Sequence, residues 1–189
     1  MIHLDPNTSA LVLIDLQMGI IAAPVAPHSA AEVLARAQTL AGRFRDAHAP
    51  VVLVRVEFGA DFADAPRQIV DEPMRVAGPL PAGWSDFAAG LAAPGDLLIT
   101  KRQWGAFYGT ELELQLRRRG VKTLVVGGIS TNFGVESTAR QGWELGFDIV
   151  AVEDLCASRS ADMHAFAISH IFPRLARVVT SADLTFAGT

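Results

Sequence analysis

Two ionisable side chains directly follow apolar runs that have the composition of buried β-strands. Asp15 comes after residues 10–14, and Lys101 comes after residues 97–100. A carboxylate at the end of a buried strand is costly unless it is paired, and a lysine is its natural partner. The two residues could form a structural ion pair at the edge of a sheet, or they could handle protons in a reaction. The residue types alone slightly favour the structural interpretation.

A polar turn follows a third apolar run. Residues 123–126 read as a strand that ends at two glycines, and residues 130–132 (Ser-Thr-Asn) open what reads as a helix. Ligands of open α/β sheets bind at the carboxyl ends of the strands, and the free N–H groups of a helix N-terminus favour negative charge. The spacing therefore predicts a turn that can bind an anion.

Elements that could position these residues alternate along the chain. Short apolar runs separated by amphipathic segments are typical of βα units around a parallel sheet. Several runs are apolar at every position, which indicates that helices cover both faces of the sheet. The sequence predicts one Rossmann-like domain over residues 1–189, an α/β fold that forms a three-layer α/β/α sandwich with a mostly parallel, about six-stranded sheet. The predicted strands are residues 10–14, 51–56, 97–100, 123–126, 149–152 and 177–180.

Helix boundaries are also readable. Residues 29–32 and 110–113 have the Ser/Thr-x-x-Glu pattern of a capping box. Gly120 and Gly146 occupy positions expected of left-handed C-terminal caps. Residues 59–95 carry five prolines and no sustained period, so this long connection is interpreted as a lid, a binding loop or an oligomer contact. Within it, Trp84 is interpreted as a packing anchor.

Composition narrows the class of protein. The chain has 189 residues, 50% of them hydrophobic, and a net charge of −4 without a basic stripe, so nucleic acid is not an expected partner. No run approaches the roughly 20 apolar residues that a membrane-spanning helix needs. The single cysteine, Cys156, permits no internal disulfide, and the N-terminus lacks the pattern of a signal peptide. We therefore expect a cytoplasmic protein in which Cys156 is buried and inert.

Three segments, in this order, resemble motifs of the isochorismatase-like hydrolases, also called the cysteine hydrolase superfamily. LVLIDLQ carries an Asp-x-Gln motif at Asp15 and Gln17, KRQWGAFYGT carries a lysine motif at Lys101, and GGISTNFGV resembles the nucleophile loop. The resemblance covers most of the chain. It implies the α/β fold predicted above, and a homo-oligomer, dimer or larger, because members are typically oligomeric.

The resemblance also implies roles for individual residues. Asp15 and Lys101 correspond to the catalytic aspartate and lysine, and Gly134 stands at the position of the family's cysteine. The loop that would hold an oxyanion comprises Ile129, Ser130, Thr131 and Gly134, with the amides of Ser130 and Gly134 as donors. The family's cis peptide would join Ile129 to Ser130.

Gly134 changes the chemistry that is expected. A glycine supplies no thiolate, so covalent acyl transfer by the family's standard route is excluded. Cysteine-free isochorismatases of the superfamily instead protonate a vinyl ether with the aspartate and then add water. A charged Lys101 would oppose this by favouring ionised Asp15. The chain most resembles a bacterial subgroup with the sequence Ser-Thr-Asn-x-Gly-Val-Glu-Ser-Thr, in which glycine replaces the cysteine.

The leading hypothesis is a hydrolase of a small carboxylate-type substrate in which Asp15 is the general acid or base. The alternatives are a non-catalytic binding or assembly protein of the same fold, and an amidase that uses water. No cofactor is expected, and no metal, because the second predicted strand is not followed by the family's Asp-x-His motif. The predicted substrate-binding residues are Gln17, Arg55, Trp104, Phe107, Tyr108, Asn132 and Phe133; for Phe107 and Tyr108 a core or interface role is an equal alternative.

Overall fold

A computed structural model describes residues 1–73 and 79–186. Its strands are β1 (Ile2–Leu4), β2 (Ser9–Ile14), β3 (Val51–Val56), β4 (Leu97–Lys101), β5 (Thr123–Ile129), β6 (Asp148–Ala157), β7 (Arg177–Val179) and β8 (Leu184–Phe186). Six of them form one sheet in the order β4-β3-β2-β5-β6-β7, and every pairing is parallel. Every residue of β2 is buried, as expected for a central strand with helices on both faces.

Helices cover the two faces of this sheet. They are α1 (Met18–Ile21), α2 (Ala30–Asp46), α3 (Leu112–Arg118), α4 (Glu136–Glu144) and α5 (Ala161–Phe166), with π-helical turns at Thr131–Val135 and Ala167–Ile171 and 3-10 turns at Phe172–Arg174 and Ser181–Asp183. The buried stripe of α2 packs in one core, and the buried residues of α3 and α4 pack in a second core. The three-layer α/β/α sandwich with a six-stranded parallel sheet is thus confirmed.

A second, two-stranded sheet was not predicted. β1 pairs with β8 in parallel, with Ile2 opposite Leu184 and Leu4 opposite Phe186. The pairing places the described end of the chain beside its beginning, and the four side chains extend the core around α2. Three-residue strands carry too little pattern to be recognised from sequence.

The predicted helix ends were partly right. Ser29 and Glu32 form the capping box, with the Ser29 amide donating to Glu32 Oε2 at 2.9 Å. The box predicted at Thr110 was wrong: α3 begins at Leu112, and the Thr110 hydroxyl donates to the carbonyl of Ala106 at 2.6 Å instead. Thr110 Oγ1 also accepts from the amide of Leu112 at 3.2 Å, so Thr110 contacts the start of α3 without forming the reciprocal capping box.

Within the long connection, the described residues 59–73 and 79–95 contain no helix and no strand of the main sheet. Trp84 lies against α1, because a Cβ built on Gly19 would lie 2.0 Å from Trp84 Nε1. Trp84 is therefore a packing anchor, as predicted. Residues 74–78, which belong to the same connection, lie outside the described residues.

Candidate active site

The register of three neighbouring strands brings the predicted acid and base together. Ile14 lies opposite Val54, and Val56 lies opposite Lys101, so the carboxyl ends of β2 and β4 meet across β3. Lys101 Nζ lies 2.8 Å from Asp15 Oδ2. Lys101 is only 1% exposed, and its ammonium also donates to the carbonyl of Trp104 at 2.5 Å. The two candidate catalytic residues thus form a buried ion pair.

Asp15 leaves the sheet in an unusual backbone conformation. Its φ is +54°, a left-handed value that aspartate tolerates better than most residues. Its amide donates to the carbonyl of Val54 at 2.8 Å, which fixes the turn at the end of β2. The carboxyl group is thereby directed to Lys101 rather than continuing the alternation of the strand.

The pKa of the Asp15 carboxyl lies close to neutral pH. Burial raises its pKa to about 6, although the charge of Lys101 and its hydrogen bond act to lower the pKa. The effect of burial on the pKa of Asp15 is therefore larger than the opposite effect of Lys101. Lys101 was expected from the sequence to favour the ionised carboxylate, but its effect does not bring the pKa down to the ordinary value. Oδ2 is held by Lys101, whereas buried Oδ1 has no hydrogen-bond partner among the described residues.

Gly134 lies directly beside this pair. A Cβ built on Gly134 would lie 3.1 Å from Asp15 Oδ2, 3.1 Å from Lys101 Nζ and 2.9 Å from Ile14 Cγ2. These distances are shorter than ordinary van der Waals contact, so a side chain at position 134 would displace its neighbours. Gly134 thus faces both candidate catalytic groups, and these groups fill the space that a side chain at position 134 would need.

The polar turn after β5 passes over the end of β2. Gly128 has a φ of +134°, and a Cβ there would lie 2.1 Å from the carbonyl oxygen of Ile14, so only glycine fits. The peptide between Ile129 and Ser130 is cis. The carbonyl of Ser130 then accepts hydrogen bonds from the amides of Phe133 and Val135, each at 3.2 Å. The predicted oxyanion loop is therefore adjacent to Asp15 and Lys101.

Side chains behind this turn were not found from the sequence. Thr131 Oγ1 lies 2.9 Å from Nδ1 of His164, which is 3% exposed. The hydroxyl of Ser158 donates to Asn132 Oδ1. Asn132, predicted to bind substrate, therefore has its side-chain oxygen engaged with the protein. His164 and Ser158 are distant in sequence from the turn and belong to no motif that would have singled them out.

Three predicted pocket residues lie at the carboxyl edge. Arg55 Nε donates to Thr100 Oγ1 at 3.1 Å, and its Nη2 lies 3.3 Å from Glu57 Oε2. The rings of Trp104 and Phe133 are in tilted contact with their centroids 4.8 Å apart. Trp104 is 64% exposed although its carbonyl binds Lys101. The exposed ring of Trp104 and the half-buried ring of Phe133 therefore link the lysine segment to the turn.

Two residues predicted to contact substrate, Gln17 and Phe107, lie where their side chains have structural contacts. Gln17 is fully buried, and its amide pairs with both the N–H and the C=O of Val56, at 2.8 and 3.0 Å. It therefore ties the chain after β2 to β3, and no polar atom of its side chain is left for a ligand. Phe107 is 7% exposed and stacks on Phe147 in the core, whereas Tyr108 is mostly exposed.

Cys156 has the properties of an inert thiol. It is fully buried in β6, and its Sγ donates to the carbonyl of Val152 at 3.2 Å. Burial raises the pKa of this thiol to about 12. Within the described ranges, no group of three or more histidine, cysteine, aspartate or glutamate residues is arranged to hold a metal ion. None of the helices described is long and apolar enough to cross a bilayer.

The parallel sandwich and the polar groups at its carboxyl edge define an α/β protein of the isochorismatase-like fold. The sequence profile of the isochorismatase domain matches residues 9–183, and the chain belongs to the isochorismatase family. It is 55% identical over 179 residues to the isochorismatase family protein YecD of Escherichia coli O157:H7, covering 94% of this chain and 95% of that protein.

A solved structure and a shorter sequence match complete the comparison. The chain resembles the structure of an isochorismatase family protein from Burkholderia thailandensis with a TM-score of 0.91 and 44% identity, covering 96% of this chain and 95% of that one. A 61-residue segment is 43% identical to the ureidoacrylate amidohydrolase RutB of Methylorubrum extorquens, covering 32% of this chain and 25% of that protein. Family membership indicates a hydrolase, and the fold prediction is confirmed.

Proposed function

We propose that the chain is a hydrolase of a small carboxylate-type substrate that uses Asp15 as its general acid and no cysteine nucleophile. The observation that carries this proposal is the state of the Asp15 carboxyl: one oxygen is held by Lys101, the other has no partner among the described residues, and the pKa is about 6. A proton donor works best when its pKa lies near the working pH.

Hydrolysis of an enol ether needs only one carboxyl group that donates a proton and takes it back. Asp15 gives its proton to the terminal carbon of the double bond, which leaves an oxocarbenium ion. Water adds to that ion, Asp15 takes back a proton, and the resulting hemiketal separates into a carbonyl compound and an alcohol. Lys101 stabilises the Asp15 carboxylate that exists between the two proton transfers.

The absence of a usable thiol supports a route without a covalent intermediate. Gly134 has no side chain, and Cys156 is fully buried with its pKa raised to about 12. A thiolate at either position is therefore not available to attack a substrate. A carboxyl acting on water or on a double bond is the chemistry that the neighbouring groups allow.

The substrate would bind at the carboxyl edge of the sheet. In the proposal Arg55, which gives up its contact with Glu57, binds the substrate carboxylate, because a guanidinium fork matches carboxylate geometry. Trp104 and Phe133 offer a flat aromatic surface beside Lys101. The amides of Ser130 and Gly134 would face negative charge on the substrate. The protein is proposed to act as a cytoplasmic homo-oligomer.

A second candidate is a water-using amidase in which Asp15 is the general base. Its support is the segment shared with RutB, whose name gives ureidoacrylate amidohydrolase activity. Above pH 6 Asp15 is mainly a carboxylate and could accept a proton from water. A binding protein without activity is the third candidate.

The test is a substrate screen, with isochorismate and small amides among the compounds, on the wild type and on Asp15→Asn. Asp162→Asn, at an exposed position of α5, is the matched control. We expect Asp15→Asn to lose roughly 10²- to 10⁴-fold in kcat, the usual contribution of acid–base catalysis, and the control to retain its activity. Turnover unaffected by Asp15→Asn would refute the proposal. A ligand that binds without turnover would favour the binding protein, and loss of activity in a folded Cys156→Ala variant would restore a thiol mechanism.

A further inference from the structure

Behind the polar turn, two histidines converge on one carboxylate oxygen. His28 Nε2 lies 3.1 Å and His164 Nε2 lies 3.0 Å from Oε1 of Glu153, and the two rings meet edge to face with their centroids 6.0 Å apart. We call His28, Glu153 and His164 the imidazole cluster. The other nitrogen of His164, Nδ1, lies 2.9 Å from the hydroxyl of Thr131.

The hydrogen bonds fix the tautomer of His164. A carboxylate only accepts hydrogen bonds, so the Nε2 atoms of both histidines carry their protons toward Glu153. A neutral His164 then has a bare Nδ1, which accepts the hydroxyl proton of Thr131. Burial lowers the pKa of His164, with Glu153 opposing, which favours the neutral ring. Burial acts to raise the pKa of Glu153, but the hydrogen bonds from the two histidines bring it below its usual value.

The contact between His164 and Thr131 affects the orientation of the turn. Thr131 is fully buried and follows Ser130, so its orientation determines how the turn leaves β5. A second set of hydrogen bonds fixes the same side of the turn. The hydroxyl of Ser158 donates to Asn132. The amide and carbonyl of Ser158 pair with those of Ala26, two residues before His28. The turn is therefore fixed from behind by polar groups that do not reach Asp15.

We propose that the imidazole cluster is a positioning device for the turn at residues 130–134. Glu153 and His28 orient the ring of His164, and His164 holds Thr131, so that the amides of the turn keep one direction. The contribution to catalysis rests on the function proposed above, because it requires that those amides face negative charge in the reaction. The positioning itself does not depend on any substrate.

Three variants separate positioning from simple filling of space. Thr131→Val keeps the shape and removes the hydroxyl. His164→Asn places an amide oxygen near the position of Nδ1, where it can still accept from Thr131, whereas the amide of His164→Gln extends toward the position of Nε2 and leaves Thr131 without an acceptor. Glutamine is closer than asparagine to histidine in volume, so a role in packing alone predicts the opposite order. His170, exposed and in ring contact with Phe166, provides matched controls, His170→Asn and His170→Gln.

The readout is backbone NMR of residues 130–134, with amide shifts and hydrogen exchange measured at equal global stability. We expect exchange at these amides to be about 5- to 10-fold faster in Thr131→Val and His164→Gln, the effect of one lost hydrogen bond. His164→Asn and both His170 controls are expected to match the wild type. Imidazole ¹⁵N shifts of the wild type are expected to show His164 neutral with the proton on Nε2.

Unchanged exchange in Thr131→Val, or a better tolerance of Gln than of Asn at position 164, would overturn the proposal. If either position 164 variant fails to fold, Thr131→Val and the ¹⁵N tautomer decide alone. These outcomes are independent of the enzymatic screen: a wild type without turnover contradicts the proposed function and leaves the NMR result intact. With an active substrate, Thr131→Val and His164→Gln should lower kcat while KM stays unchanged.

Discussion

Replacing the buried lysine should destabilise the protein by an amount that grows with pH. In Lys101→Met the new side chain is apolar and of comparable length, so the position stays filled while the charge is lost. Burial already raises the pKa of Asp15 to about 6 against the opposition of Lys101, so removing the lysine raises that pKa further. An uncompensated buried charge costs roughly 3–5 kcal/mol. The full cost appears only where Asp15 is ionised.

The sign follows from proton linkage. The folded-state pKa of Asp15 lies above its ordinary value of 3.8, so the folded protein binds more protons and stability falls as pH rises between the two values. In the wild type this fall ends near pH 6. In Lys101→Met it continues to the higher pKa, and the difference in unfolding free energy widens by about 1.4 kcal/mol per pH unit.

Urea unfolding at pH 5, 6, 7 and 8 measures this difference. Lys122→Met, at an exposed position, is the matched control and should show no such trend. The double variant Asp15→Asn, Lys101→Met carries neither charge and should lose the dependence on pH. A difference that stays constant from pH 5 to pH 8, or the same slope in the double variant, would refute the reasoning.

Other consequences are tested by thermal or denaturant unfolding. Gly128→Ala should cost about 3 kcal/mol or more, because the new Cβ would lie 2.1 Å from a backbone oxygen of β2; a near-wild-type melting temperature would contradict this. Gly134→Ala should cost roughly 1–3 kcal/mol and shift the carboxyl ¹³C signal of Asp15, since the added methyl group pushes on the ion pair. Phe107→Ala should cost about 3–5 kcal/mol and Tyr108→Ala less than about 0.5 kcal/mol; equal costs would mean that the core assignment is wrong.

The parallel sheet could be predicted from the sequence because several of its strands contain runs that are apolar at every position. β3 coincides with the predicted residues 51–56, whereas β5 and β6 run past their predicted ends. β5 continues through two glycines, which read as a break in the sequence. Gly127 and Gly128 are required there for close approach to β6 and β2: added Cβ atoms would lie 2.7 Å from Leu155 Cβ and 2.1 Å from Ile14 O.

The positions of site residues could be predicted for residues that directly follow a strand. They could not be predicted for residues whose side chains bind a partner distant in sequence. Asp15 and Lys101 met because parallel strands deliver their carboxyl ends to one edge. Gln17 shares the motif of Asp15, yet it pairs with the backbone of Val56, 39 residues away. The contact between Thr131 and His164 spans 33 residues and leaves no local pattern. Long-range hydrogen bonds of this kind have no periodicity from which they could be inferred.

The central claim is that protonated Asp15 performs the chemistry. The direct measurement is the pH dependence of kcat/KM for a substrate found in the screen, beside an NMR titration of the Asp15 carboxyl carbon in the free enzyme. The account predicts that both report the same pKa, near 6, and that activity is highest on the acidic side and falls as Asp15 loses its proton. If activity increases as the pH rises past this pKa, Asp15 acts as a base instead. If the profile has no inflection near this pKa, the proton of Asp15 has no role in the reaction.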